Sequence, residues 1–155
     1  MGGMTLPSPR RLYVVVATAE AVTWTMLLVG MFLKYVTETT ELGVRIGGMA
    51  HGTVFIAYVL VTTIVWIDQR WPAKQGVVAL ASAVPPLVTL WTERWLDRGG
   101  HLGESWRLAT KGAATTTPER LVSSALRRPA LAALVLVVSV LVLTGVALLV
   151  GPPTS

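Results

Sequence analysis

Two carboxylates and one imidazole lie inside largely apolar runs: Glu20 in "AEAVTWTMLL", Glu93 in "PPLVTLWTERW" and His51 in "GGMAHGTVF". Imidazole titrates near neutrality, and a carboxylate facing lipid costs about 2.5–3.5 kcal/mol on insertion scales. Such groups either move protons, hold a ligand, or are enclosed by helices that satisfy them. His51 is open to three readings. A metal site needs several ligands, and the other histidine, His101, falls in a polar connection, so no metal is expected. Bis-histidine haem fails on the same ground, and no cofactor is expected. The preferred reading is a packing role, with His51 bonded to Glu93 or a backbone carbonyl; the alternative is a proton carrier. Glu20 is either a functional acid or a protonated acid bridging Thr62 or Ser82, and both readings stand.

Four apolar stretches of about 20 residues, the length that crosses a bilayer, have to position these groups. They run over 12–33, 49–67, 77–96 and 130–150. The fourth has no charge. The third carries Pro85 and Pro86 at its middle, which predicts a kink, because neither ring nitrogen donates to the preceding turn. The first is no cleaved signal, since it contains Glu20 and ends in "MFLKY" with no small-residue cleavage site. Tyr13, Trp66 and Trp71 read as an interfacial belt at one face, with Tyr35, Trp91 and Trp95 at the other. Within the polar connection 97–128, "TPERLVSSALRR" predicts a short interfacial helix with Thr117 as N-cap and Pro118 at its first position. Leu121, Val122, Ala125 and Leu126 share one face of it. The expected architecture is all-α: a polytopic membrane protein with a three-helix core (1–98), a basic connection (99–128) and a fourth transmembrane helix (129–155).

At helical spacing each of the first three stretches carries a polar or small-residue seam. These are Glu20, Thr23, Leu27, Gly30 and Lys34; then Gly48, His51, Phe55, Tyr58 and Thr62; then Ser82, Pro86, Thr89 and Glu93. Burying the seams together predicts two layers. Lys34, His51 and Glu93 would cluster within about one turn of the face of the first connection, with at least one pair in hydrogen-bonding reach. Glu20, roughly 21 Å from that face, would meet Thr62 and Ser82. Lys34 alone is read as snorkelling to the interface. Gly30, Gly48 and Gly52 are the expected close-packing points, the last two forming a small-xxx-small pair for the first helix.

Of 155 residues 53% are hydrophobic and 14% charged, well below the roughly 25% charged of soluble domains. The net charge of +5 sits in segments flanking apolar runs, so it reads as topology rather than nucleic-acid binding. The absence of cysteine excludes disulfides, thiolate metal sites and cysteine nucleophiles. No GxSxG, Walker loop, HExxH or dinucleotide fingerprint is present, and "GVRIGGMAHG" follows no strand, so no enzyme is expected. With four crossings, the Lys/Arg excess puts the first and third connections inside and both termini outside a multi-pass plasma-membrane protein, although the flanks of the first two helices lean the other way.

Residues 10–98 resemble a family of small bacterial integral membrane proteins, the YdzA-like proteins. The likeness rests on "AEAVTWTMLLVGMFLKY" with Glu20, "GGMAHGTVFIAY" with His51 and "PPLVTLWTERW" with Glu93. It implies a three-helix membrane unit with those polar positions and no assigned activity; the basic connection and fourth helix are additions. The functional expectation is a non-catalytic accessory, assembly or regulatory subunit of a larger membrane complex. Its partners would be the bilayer and either a membrane protein or a second copy. The alternative is a small proton-coupled transporter or ion-conducting oligomer using Glu20, His51 and Glu93.

Overall fold

The computed structural model describes residues 6–150, and among them the regular structure is helical throughout. Helix α1 spans Pro9–Tyr35 and α2 Leu42–Gln69. Helices α3 (Ala73–Ala81) and α4 (Val88–Arg98) follow, then a 3-10 turn at Arg107–Ala109, α5 (Thr117–Arg127) and α6 (Pro129–Val150). Three helices, α1, α2 and α6, are long and apolar enough to cross a membrane. The all-α membrane architecture therefore holds, with one change of topology.

The change is in the third apolar stretch. It does not cross; it folds back on itself. Helix α3 stops at Ala81, Pro85 and Pro86 offer no amide for a continuing helix, and Leu87 takes a left-handed conformation (φ 66°) before α4 begins. Neighbours mark the depth of each part. Tyr58 donates to the Ala79 carbonyl (2.8 Å), and Trp24 donates to that of Ala83 at the tip (3.1 Å). On the return limb Thr89 meets Ala17 and Glu20, and Asp97 pairs with Arg10 at the start of α1. Both ends of the hairpin thus lie on the face where α1 begins. At membrane depth a turn of this kind is tolerated because protein groups, not lipid, satisfy its free carbonyls.

Helix α1 starts cleanly: Ser8 accepts from the Arg11 amide, with Pro9 at the first helical position. It packs against α2 through glycine. A Cβ at Gly30 would run into the backbone of Gly43, and one at Gly47 would press on that of Leu27 (3.0 Å). Gly52, expected to serve this contact, has open space beside it, and Gly48 meets only the tip of Leu27 at 3.9 Å. The first of the two glycine pairs in "GVRIGGMAHG", not the second, seats α1. Helix α6 flanks α2 and buries no residue fully.

Three further expectations change. Helix α5 is capped by Thr116, not Thr117, in a capping box with Glu119; Pro118 accordingly falls at the second position. Its buried side holds Glu119, Val122 and Ser123, while Leu121 is 69% exposed, because polar anchoring to the loop below sets the rotation of the helix. Tyr13 and Trp71 are core residues, and Trp91 and Trp95, stacked at 6.1 Å, lie on the returning α4, so the two-sided aromatic belt is not formed as expected. Finally, α1, α2 and α6 run alternately, so that among the described residues Pro9 and Val150 lie at opposite ends of the bundle.

Candidate functional site

The hairpin tip builds the site. Because α4 begins halfway along α1, its N-terminal residues approach Glu20. Thr89 donates to the Ala17 carbonyl (3.1 Å) and to Glu20 Oε2 (3.2 Å). The first turn of a helix carries partial positive charge and suits a carboxylate. Glu20 is fully buried, and its Oε1 has no hydrogen-bond partner among the described residues. Nearest on the α2 side is His51, with Nδ1 3.8 Å from that oxygen. Thr23 lies 3.4 Å from the same ring nitrogen, and the Trp24 ring packs at 4.4 Å between centroids, with Phe55 at 6.1 Å. Glu20 and His51 therefore form an ionisable pair, one step beyond hydrogen-bond length, in the middle of the bundle.

A second polar layer lies nearer the face where α1 begins. The hydroxyls of Tyr13 and Tyr58 are 2.7 Å apart, Tyr58 and Ser82 are 3.1 Å apart, and Ser82 donates to the Ala79 carbonyl at 2.7 Å. These bonds tie α1, α2 and α3 at one point. Thr62 is buried, and its hydroxyl has no hydrogen-bond partner among the described residues.

The expected layers are thus redistributed. Lys34, His51 and Glu93 do not converge. Lys34 reaches Glu41 at 3.5 Å and lies 5.2 Å from the Tyr35 ring, at the far end of α1. Glu93, carried back by the hairpin, is partly exposed on α4, one turn before Asp97 and Arg10. Glu20 meets Thr89 rather than Thr62 or Ser82. The correction has two causes: folding α4 back reverses the depth of every residue after Pro86, and α2 begins as early as Leu42, so that His51 lies about two and a half turns inside it, level with Glu20 and Thr23.

A polar cap at the same face went unread. The buried Asp68 side chain accepts from the amides of Arg107 (3.2 Å) and Leu108 (2.9 Å). Arg107 donates to the Asp68 carbonyl (2.7 Å) and to Glu119 (2.6 Å). Arg70 also bonds Glu119, at 2.9 Å. The Arg70 guanidinium, with the Thr115 amide and hydroxyl and then Arg107, holds the Glu119 carboxyl well below its ordinary range. The Thr-x-x-Glu spacing of Thr116 and Glu119 was the available signal.

Fold and site together define a small polytopic α-helical membrane protein with a re-entrant hairpin closing on a buried ionisable pair. The family model described as "Domain of unknown function (DUF3817)" matches residues 10–98, more than half of the chain, and the chain belongs to that family. The span agrees with the resemblance drawn from the sequence; the YdzA-like name is not carried by the match. The chain is also similar to "Putative membrane protein SCO5905" of Streptomyces coelicolor (strain ATCC BAA-471 / A3(2) / M145), 48% identical over 93 residues, which are 59% of this chain and 11% of that one. The chain thus spans about a tenth of the length of that relative. No solved structure matches it.

Proposed function

We propose that this protein is a non-catalytic accessory subunit that docks on a larger membrane protein through its α1–α4 unit. One observation carries the reading: a segment 48% identical over 93 residues makes up 11% of a far longer chain whose name places it in the membrane. A unit that is covalently part of a large membrane protein in one organism is suited to pack against such a protein in another. The docking side belongs to the family unit, where α1 leaves Val15, Val22 and Val29 exposed at seven-residue intervals, and not to α6. The compartment that fits is the plasma membrane. The amino-terminal face lies in the cytoplasm, because all thirteen lysines and arginines except Lys34 and Arg45 fall on it.

The test is site-specific photocrosslinking in native membranes. A photoreactive residue at Val22 or Val29 yields one discrete adduct with the same larger membrane protein, and one at Leu141 on α6 does not. Protein adducts from neither side, together with a monomeric chain on mild extraction, contradict the reading. A second reading, proton-coupled transport, is supported by Glu20 Oε1 standing 3.8 Å from His51 with no hydrogen bond among the described residues. Under it, Glu20→Gln abolishes pH-dependent ion flux in reconstituted vesicles while the fold survives; under the accessory reading there is no flux to lose.

A further inference from the structure

The helices outside the family unit leave a second feature. Between α2, α5 and α6 runs a crevice of about 410 Å³, within the roughly 300–1,000 Å³ range of small-molecule sites. Its walls are apolar along most of their length, including Ile64, Leu121 and Val135. Polar groups stand at the interfacial end, where Ser124 and Arg128 line it, and Ser139 lies at the inner end. Arg128 and Ser139 are eleven residues apart, about 16 Å along a helix, which is half of a roughly 30 Å hydrocarbon core. The crevice is therefore one leaflet deep. Arg128 is exposed and makes no ion pair among the described residues, whereas Arg70 and Arg107 nearby are both bound to Glu119.

We propose that this crevice is a binding site for an anionic phospholipid, with one acyl chain between α2 and α6 and the phosphate on Arg128. Three observations converge on that ligand. The apolar length fits one leaflet, and the cation stands at the depth of a headgroup. The whole face is strongly basic, since only Lys34 and Arg45 lie on the opposite one. Basic pockets between transmembrane helices at such a face are suited to anionic headgroups, and a cation near the surface is worth about 1 kcal/mol towards them, close to fivefold in affinity. Helix α5 closes the crevice from the side, and its own seat on the Asp68–Arg107–Glu119 cap fixes it there.

The experiment reconstitutes the full chain in nanodiscs of equal phosphatidylglycerol and phosphatidylcholine with matched chains. It then extracts the protein gently and counts the lipid retained per chain by native mass spectrometry. The expected result is about fivefold preference for phosphatidylglycerol, lost in Arg128→Gln. Ala132→Phe, which fills the crevice wall, lowers retention of both lipids. Helix content and thermal midpoint serve as the folding control for each variant. Equal retention of the two lipids, or an Arg128→Gln protein that keeps the preference, overturns the proposal. So does a crevice that in native membranes crosslinks from Val135 to a protein helix instead of to lipid.

Discussion

Two buried glutamates stand in opposite states of satisfaction. Glu119, in the interfacial cap, accepts from Arg70, Arg107, the amide and hydroxyl of Thr115 and the Thr116 amide. Glu20, in the middle of the bundle, has Thr89 on one oxygen and, among the described residues, nothing bonded to the other. A carboxylate with every lone pair engaged is a structural joint, and removing it strands its partners. One left half-engaged at membrane depth is retained at a cost, and the hairpin that encloses it gives it a neighbour, His51, able to exchange a proton. The cap holds the α5 segment in place; the deep pair is held by one bond from Thr89 and by packing.

That contrast can be broken at the cap first. Asp68→Ala removes the acceptor of the Arg107 and Leu108 amides in a fully buried position, and about 3 kcal/mol of stability is expected to go with it. Thermal unfolding in detergent reads the loss, and faster proteolysis of 110–117 locates it. An intact loop in that variant would show that the cap is ornamental to the fold.

Acid acts on the same joint. Since the folded state depresses the Glu119 carboxyl below its ordinary 4.5, its contribution is complete above that value and drains away as pH falls beneath it. Loosening of α5 on acidification is expected, and Glu119→Gln should flatten that response. Hydrogen exchange of the α5 amides between pH 7 and 3 measures both.

The deep site should be more forgiving. Glu20→Gln keeps an acceptor for Thr89 at a position where only one oxygen is bonded among the described residues, so a stability change under about 1 kcal/mol is expected, against the larger loss at Asp68. A loss above that of Asp68→Ala would invert the comparison and make Glu20 the joint. The smallest effect belongs to Lys34→Gln. Its contact with the exposed Glu41 at 3.5 Å is worth under about 0.5 kcal/mol, within the error of a denaturation curve and lost in high salt.

How much of this was legible depends on what periodicity reports. Hydropathy and length found α1, α2 and α6, because a spanning helix declares itself within its own residues. The same average over 77–96 is produced by one crossing or by two half-depth limbs. Pro85–Pro86 marked the break, but the decision between kink and reversal lies with Tyr58 and Trp24, which receive the limb from other helices. Of the seams of α1 and α2, Glu20, Thr23 and His51 come together, whereas Gly48 has only the tip of Leu27 near it and Lys34 turns to Glu41. Register between helices depends on whether Gly43 and Gly47 or Gly48 and Gly52 face α1, a choice that two equivalent spacings leave open. Asp68, Arg107 and Glu119 were missed for a different reason: groups joined across a loop have no period to betray them.

The reversal at Pro85–Leu87 decides everything after it, and the absence of native cysteine makes it directly measurable. Single cysteines at Glu41, Lys74 and Lys111 sample the first connection, the entry of the hairpin and the segment beyond its exit. With a membrane-impermeant maleimide, the hairpin predicts that Lys74→Cys and Lys111→Cys label from one side, in inverted vesicles, and Glu41→Cys from the other. Labelling of Lys111→Cys together with Glu41→Cys, opposite Lys74→Cys, would mean that the third stretch crosses the membrane, and the site built on its return limb would fall with it.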